Sequence, residues 1–552
     1  MRTSPPHPPL RGTLSRRERP HARESLLPPG EGGRRPDEGD KEKMIAIVTA
    51  LQEELSPLLR RAEIDRVARV GRRRAHFGRL MGTPVVMMTT GVGVVEAEKN
   101  LALLLHQFEV TSVIGAGVAG AIAADLRPGD IITDERKIQT VDKIVRDKRA
   151  IDADAIDMES DGWRRAAAGV PLRIIRVIFD AADDDIPAFL GENVDRAAIV
   201  RHALVHPSAV PVLWNMRGRM RDCCEKLADF IARSIASPQA RLAELLEETS
   251  RTFALCIPLL NPGVREEVGL AYLLFRIADT FEDASHWPVA DRLAALDEFC
   301  ALLRRPDADQ AQRFATKWSA KRPSSHAGYI RLIKDVPLVI DAFTKLPAEA
   351  MSVIRDNVIR SANGMAHFVG MTINGSLQLI DMEQLRAYCY AVAGIVGEML
   401  TELFLLNAPQ LRSSASLLRA RAATFGEGLQ LVNILKDSRS DLSEGRTYIP
   451  PTADRADVIA LARADLEAAT EYTLMMQTAA APDGIIAFAA LPVALAQATL
   501  DRIQSSAATK ISRPQVFRIT RRVRRSVEKG EPPLTLRSSN GRSMLSLLFG
   551  MR

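Results

Sequence analysis

Two pairs of aspartates, each pair four residues apart, mark where this chain could do chemistry. Asp279 and Asp283 close the segment Tyr272-Leu-Leu-Phe-Arg-Ile-Ala-Asp-Thr-Phe-Glu-Asp283, and Asp437 and Asp441 close Gln430-Leu-Val-Asn-Ile-Leu-Lys-Asp-Ser-Arg-Ser-Asp441. At this spacing two carboxylates share one face of a helix, where they repel each other and resist leaving water. The first segment also carries Leu273, Leu274, Phe275 and Ile277 on its other faces, so its helix is expected to be buried. A helix end turned to water would account for one such pair. Two pairs of the same geometry fit hard oxygen ligands for Mg²⁺, which takes one or two carboxylates and completes its shell with substrate phosphate. Tyr272 and Arg276 fall on the face of the first pair, and Gln430 and Asn433 lie on or near that of the second. Lys436, Arg439 and Arg446 add cations nearby. Metal and cation together could stabilise diphosphate as a leaving group.

The elements that must position these residues are helices. From about residue 238 to 527 the pattern is helical almost without interruption, so this half is expected to be all-α. Four ordered stretches, Ser250-Arg-Thr-Phe-Ala, Asp279-Thr-Phe-Glu-Asp283, Tyr388-Cys-Tyr-Ala-Val-Ala-Gly-Ile-Val-Gly397 and Asn433-Ile-Leu-Lys-Asp-Ser-Arg-Ser-Asp441-Leu-Ser-Glu-Gly-Arg446, resemble the motifs of the squalene/phytoene synthase family. The form of the second and third is closer to squalene synthases. The resemblance implies the isoprenoid synthase fold and head-to-head joining of two farnesyl diphosphates through presqualene diphosphate to squalene, with Mg²⁺ and NADPH. It implies Asp279, Asp283, Asp437 and Asp441 as metal ligands. Arg251, Arg276, Lys436 and Arg446 would neutralise phosphate, with Gln430 and Asn433 on the substrate. Lys436 stands where the family often has Arg, so the charge is kept without the bidentate fork. Tyr388 is the candidate beside the proton lost on cyclopropane closure, and Tyr272 is the other phenol near the metals. Phe488, in Phe488-Ala-Ala-Leu-Pro492, resembles the wall of the pocket. Arg522 and Arg524 fall near the family's basic residues for the nicotinamide cofactor. A product stopping at presqualene diphosphate, or phytoene made from longer substrates, is the alternative.

The first half reads differently. From Met44 the pattern is α/β: Ile45-Ala-Ile-Val-Thr and Pro84-Val-Val-Met-Met-Thr-Thr are strands, Glu53-Glu54 opens a helix, and Val113 to Gly120 reads as a strand breaking into a glycine-rich turn. Exposed N–H groups in such a turn can cradle an anion. The glycine spacing is not that of a dinucleotide fingerprint. Thr49-Ala-Leu-Gln-Glu-Glu54, Thr90-Gly-Val-Gly93, Gly115 to Gly120, Leu126-Arg-Pro-Gly-Asp-Ile-Ile132, Asp157-Met-Glu-Ser160 and Arg176-Val-Ile-Phe-Asp180 resemble nucleoside phosphorylases and nucleosidases, in particular hopanoid-associated phosphorylases. The resemblance runs from about 44 to 235. It implies Met158 and Glu159 at a ribose, Asp180 as the acid on a departing purine, Gly91 and Gly93 near phosphate, and Glu54 among the substrate contacts. A purine leaves readily once a ring nitrogen gains a proton, which asks for a positioned acid. Only 26 residues separate Asp130 from Asp157, fewer than the family usually carries. A compact catalytic subtype and a folded non-catalytic binding module both remain open. Together the halves imply a fusion serving hopanoid synthesis, its first half removing adenine from an adenosylated hopanoid.

Composition bounds the rest. At 552 residues, two or three domains are expected. The expected division is a leader over 1–43, a phosphorylase-like domain over 44–235, a synthase-like domain over 238–527 and a basic, apolar tail over 528–552. The leader is rich in Pro, Arg, Gly and Glu, so it reads as disordered, and Met44 is the expected true start. Five cysteines without metal spacing read as reduced, buried thiols, consistent with a cytoplasmic location. No uninterrupted apolar run reaches about 18 residues, and Ile485 to Leu500 better fits a buried helix. His367, among apolar neighbours, reads as a core histidine. Between Ile511 and Arg552 ten Lys/Arg face two Asp/Glu. That excess fits either a solvated tail or peripheral adsorption to the inner membrane. No nucleic-acid motif accompanies it.

Overall fold

The computed structural model describes residues 44–143, 145, 151–184, 205–206, 210–250, 252–372, 376–443, 446–505 and 510–536. The leader 1–43 and the end of the tail, 537–552, lie outside these residues, as do Arg251 and the side chains of 439–446.

The first half is built on a nine-stranded mixed sheet. Strand β1 (Met44–Thr49) is flanked in parallel by β4 (Thr83–Thr89) and β5 (Val110–Ala121), and β5 is followed in parallel by β9 (Leu172–Asp180). These strands are rich in Val, Ile and Met because both faces are covered. Helices Gln52–Arg61 and Val210–Ser234 cover one face through Leu55, Leu58, Leu227 and Ile231, and helices Val94–Gln107 and Ser160–Ala166 cover the other through Leu101, Leu104 and Trp163. Strands β2 (Ala62–Val70) and β3 (Arg73–Leu80) extend one edge in antiparallel fashion, and the short strands β6 (Ile131–Thr133), β7 (Ile138–Thr140) and β8 (Ala155–Asp157) complete the sheet. The expected turn after Val113 is not there, since β5 runs through Ala121. Its glycines serve close packing instead. A Cβ on Gly115 would sit 2.4 Å from the Trp163 ring, and one on Gly117 would sit 2.3 Å from the Arg176 guanidinium.

The join near 236 is a tight break between two helices. Ser237 caps helix Pro238–Thr249 by accepting from the Ala240 N–H at 3.2 Å, and its own N–H donates to Met81 O at 2.9 Å, on the turn between β3 and β4. Beyond it the described residues are mainly helical, and among them Leu377–Gln378 and Arg446–Thr447 pair as two short parallel strands. A single apolar core fills the helical half. Helix Asp483–Ser505 and the stretch Met382–Asn407 are long and apolar enough to cross a membrane, and both are mostly buried in that core. All five cysteines are buried with free thiols. His367 is exposed, against expectation, because the helical phase turns Met365 and Phe368 inward and leaves it outside.

The third motif, Tyr388 to Gly397, contains a π-helical turn at Tyr390–Gly394 before helix Ile395–Asn407. Here two backbones nearly touch. A Cβ on Gly397 would lie 1.9 Å from Ala422 O, and one on Gly426 would lie 2.0 Å from Ala393 O. Gly397→Ala should therefore force the helices apart and cost about 1–3 kcal/mol. Gly269→Ala, in a helix where the new methyl meets nothing within 4 Å, should be neutral or stabilising. Thermal unfolding of both variants checks this; equal midpoints would remove the close-crossing argument.

Candidate functional sites

In the helical half, helix Pro262–Glu282 carries the first acidic pair at its C-terminal end, with Asp283 as the cap. Arg276 organises the face. Its Nη1 lies 3.3 Å from Asp279 Oδ2, its Nε donates to the Tyr272 hydroxyl at 3.3 Å, and its guanidinium lies 5.5 Å from the Tyr272 ring and 5.4 Å from the Tyr329 ring. Tyr272 donates to the Thr249 carbonyl at 2.7 Å, so its phenol positions Arg276. Burial pushes Asp279 up to about 6, helped by the Asp283 charge and opposed by Arg276. Its side chain still keeps 27% of its surface exposed. A cleft of about 590 Å³ opens beside it, lined by Thr280, Asp283, His286, Arg322, Ser324 and Tyr329. A carboxylate pair at the rim of a polar cleft, with Asp279 raised by burial, fits the hard-oxygen demand of Mg²⁺. Among the described residues no three acidic, histidine or cysteine side chains form a ready-made metal cluster.

The second pair lies on helix Ala415–Ser443. Lys436 Nζ donates to Asn433 Oδ1 at 2.9 Å and stands 3.2 Å from Asp437 Oδ2. Gln430 is half-buried on the same helix. Asp441, Arg446 and Arg251 fall among the side chains outside the described set.

Tyr388 ties the motifs together. Its hydroxyl lies 3.4 Å from Glu282 Oε1, within the first motif, and 3.2 Å from the hydroxyl of Tyr448, two residues beyond Arg446. The Tyr388 and Tyr448 rings stack at 4.8 Å, and Phe368 meets Tyr388 edge-on at 5.2 Å. Burial, then the Glu282 charge, holds the Tyr388 phenol well above its usual range, so it stays protonated. Arg292 secures the end of the acidic helix by donating to the Phe281 and Glu282 carbonyls. Glu282, Arg292 and Tyr448 were not singled out from sequence. Phe488 is buried, between Phe253 at 6.3 Å and Phe404 at 5.8 Å. Arg522 and Arg524 lie on the outer face of helix Arg513–Glu528, both exposed, with Arg524 paired to Glu528 at 4.0 Å.

In the first half the predicted residues gather at the carboxyl ends of the parallel strands, where open α/β sheets place ligands. Glu54 is buried in the first turn after β1. Its Oε2 accepts from the Ala50 and Leu51 N–H groups at 3.0 and 2.9 Å, and its Oε1 accepts from Val118 N at 2.9 Å. Burial and the nearby Glu159 charge push it up to about 7. Glu159 caps helix Ser160–Ala166, and its Oε1 accepts from the Gly93 N–H at 3.3 Å. Burial raises Glu159 as well, against the pull of Arg176. Asp180, at the end of β9, lies over Gly120, whose Cβ would come 3.1 Å from Asp180 Oδ2. Met158 is half-buried beside Glu159. Gly91 and Gly93 hold φ of +97° and +90° ahead of helix Val94–Gln107, and a Cβ on Gly91 would strike Arg73.

Arg176, on β9, joins this group. It is fully buried, with Nη2 2.5 Å from Asp157 Oδ2 and 3.4 Å from Glu159 Oε2, and its guanidinium lies 4.7 Å from the Trp163 ring. Its Nε and Nη1 have no hydrogen-bond partner in the protein. Although burial opposes it, Arg176 with Ser160 and Thr140 holds Asp157 below the usual carboxylate range. Neither Arg176 nor Asp157 was given a role from sequence. An arginine set between Ile174-Ile175 and Val177-Ile178-Phe179 was the available signal, because a buried guanidinium requires carboxylates.

Residues 246–453 match the squalene/phytoene synthase family, and residues 44–140 match the phosphorylase superfamily. The squalene synthase of Yarrowia lipolytica is 29% identical over 264 residues, covering 45% of this chain and 52% of that protein. Squalene synthase ERG9 of Candida albicans is 29% identical over 213 residues, covering 38% and 45%. The chain thus spans about half the length of these curated relatives. Among solved structures, a ligand complex of TcSQS aligns with a TM-score of 0.41 at 22% identity, covering 56% of this chain and 94% of that one. The Campylobacter jejuni 5'-methylthioadenosine/S-adenosyl homocysteine nucleosidase aligns with a TM-score of 0.28 at 16% identity, covering 35% and 99%. The synthase match includes both acidic motifs and Tyr388 and ends before Phe488, Arg522 and Arg524, while the phosphorylase match ends before Asp157. The chain carries a squalene/phytoene synthase domain in its C-terminal half and a phosphorylase-superfamily domain in its N-terminal half.

Proposed function

We propose that residues 238–527 join two farnesyl diphosphates head to head to presqualene diphosphate and then, with NADPH, to squalene. The observation that carries this reading is the Tyr388 hydroxyl, which meets Glu282 of the first acidic motif and Tyr448 just beyond the second. Bound Mg²⁺ would neutralise the diphosphate leaving groups; Asp279, Asp283, Asp437 and Asp441 would hold it, with Arg276 and Lys436 on phosphate oxygens. The first C–O bond breaks to give an allylic cation and diphosphate, and the double bond of the second substrate then forms the new C–C bond. Closure of the cyclopropane releases a proton. Tyr388 can accept it on oxygen while passing its own to Glu282 Oε1, so the proton ends on Glu282 and neutralises its carboxylate beside aromatic rings. The reduction to squalene, with Arg522 and Arg524 on the cofactor, rests on the sequence resemblance.

For residues 44–235 we infer cleavage of a purine nucleoside, the adenosyl group of a hopanoid being the candidate. Asp180 would protonate the leaving base, Glu159 would bind ribose hydroxyls beside Met158, and Glu54 with Arg176 would line the site. The short connection from Asp130 to Asp157 favours the second reading, a module that binds without catalysis.

The first test supplies farnesyl diphosphate and Mg²⁺ to the purified protein, with and without NADPH, and identifies extracted lipids by mass. Squalene only with NADPH is expected. Presqualene diphosphate under both conditions would remove the reductive half, and no product from this or longer substrates would overturn the synthase reading.

Asp279→Asn and Asp437→Asn should each lower product formation by at least about 100-fold. Near-normal turnover in either would remove the metal-ligand assignment. Because burial raises Asp279 from the ordinary 3.8 to about 6, the folded state binds the extra proton across that interval, and the charged form costs stability above it. Asp279→Asn should then be as stable as the parent protein, or more so, at pH 8. The protonated acid is a poor ligand, so the Mg²⁺ concentration needed for half-maximal turnover should rise as the pH drops through about 6. A Mg²⁺ requirement unchanged down to pH 5 would contradict this.

Release of free adenine from adenosine-bearing substrates, with and without inorganic phosphate, tests the other half. Release is expected, lost in Asp180→Asn and strongly reduced in Glu159→Gln. No release from any purine nucleoside would favour the binding module.

A further inference from the structure

We propose that the outer face of helix Arg513–Glu528 docks the protein on an anionic lipid bilayer. The helix has two distinct faces. Val523 and Val527 are buried, and Val516 and Ile519 pack against the helical core, so the inner stripe is fully used by the fold. The outer arc carries Arg513, Arg518, Arg521, Arg522, Arg524 and Arg525 against the single acid Glu528. Arg524 pairs with Glu528 at 4.0 Å, and among the described residues the other five arginines make no ion pair.

Within that arc stands Phe517, 67% exposed. It lies on the same stripe as Arg521 and Arg525, one and two turns on. A large apolar side chain held out in water among cations gains nothing from folding. At a bilayer surface the same arrangement is favourable: the ring enters the headgroup region, and the arginines lay their stems along the apolar boundary while their heads meet lipid phosphates. A convex basic helix face carrying an exposed aromatic residue fits a broad planar anionic surface. Nucleic acid is the less suited partner, since the chain has no nucleic-acid motif beside this face. Arg522 and Arg524, proposed above for the cofactor, share this helix; docking rests on Phe517, Arg518, Arg521 and Arg525, which the proposed reactions do not use.

Flotation of the full chain with vesicles tests it. The protein should float with phosphatidylglycerol-containing vesicles and not with pure phosphatidylcholine, and added salt should weaken the binding. Combined Arg518→Glu, Arg521→Glu and Arg525→Glu should lower the partition coefficient at least about 10-fold. Phe517→Ala, which keeps every charge, should lower it several-fold, and thermal unfolding should confirm that both variants are folded. Undiminished flotation of the triple variant would assign binding to another surface, such as the tail beyond residue 536, and overturn the proposal. Absence of flotation by the parent protein would do the same, as would loss in the triple variant of binding to a nucleic acid oligomer but not to vesicles.

Discussion

Keeping charge inside the protein without leaving it uncompensated is the constraint on which both halves depend. A carboxylate or guanidinium removed from water costs several kcal/mol unless partners replace the lost solvation. In the sheet domain one arginine, Arg176, meets that demand for Asp157 and only part of it for Glu159, and Trp163 covers its face. In the helical domain Arg276 offsets part of it for Asp279 while lying near two tyrosine rings. A third group, Arg386 with Glu427 and the buried Asp465, crosses three helices beneath the Tyr388 motif. Each site is an arginine around which acids are gathered, so the arginine fixes where the acids can be.

That arrangement needs room, and glycine supplies it. Gly117 opens the space where Arg176 and Glu54 approach each other. Gly397 and Gly426 let the backbone of the Tyr388 motif cross helix Ala415–Ser443 at near contact, which brings Tyr448, beyond the second acidic pair, within reach of Tyr388. The glycines of these two stretches thus act through packing. Reading those in β5 as an anion-binding turn gave them the wrong job, because in sequence a glycine that frees the backbone and a glycine that makes way for a neighbour are the same letter.

Local pattern carried much of the rest. The α/β beginning, the helical second half, the i,i+4 acidic pairs and the buried helix near Ile485 all follow from periodicity, which sequence displays directly. What it does not display is contact between distant elements. Glu282 and Tyr448 are 166 positions apart and meet only through Tyr388, so neither stood out. His367 misled for a related reason. Apolar neighbours in sequence are not neighbours in space on a helix, and its phase placed it outside.

The buried carboxylates also sort themselves by how well they are satisfied. Asp157 receives Thr140, two groups of Ser160 and Arg176, and together these hold it below its ordinary range; it is complete as it stands and reads as structure. Glu54, Glu159 and Asp279 are in the opposite condition, raised by burial that their partners do not offset. Folding tolerates such groups only at a cost, and a ligand bringing hydroxyls or positive charge would relieve it. The same test separates Tyr272, whose proton is committed to a backbone carbonyl, from Tyr388, whose proton lies between a carboxylate and a second phenol and can move. By that measure Tyr388 fits the proton-transfer role proposed above, and Tyr272 is the one that holds Arg276 in place.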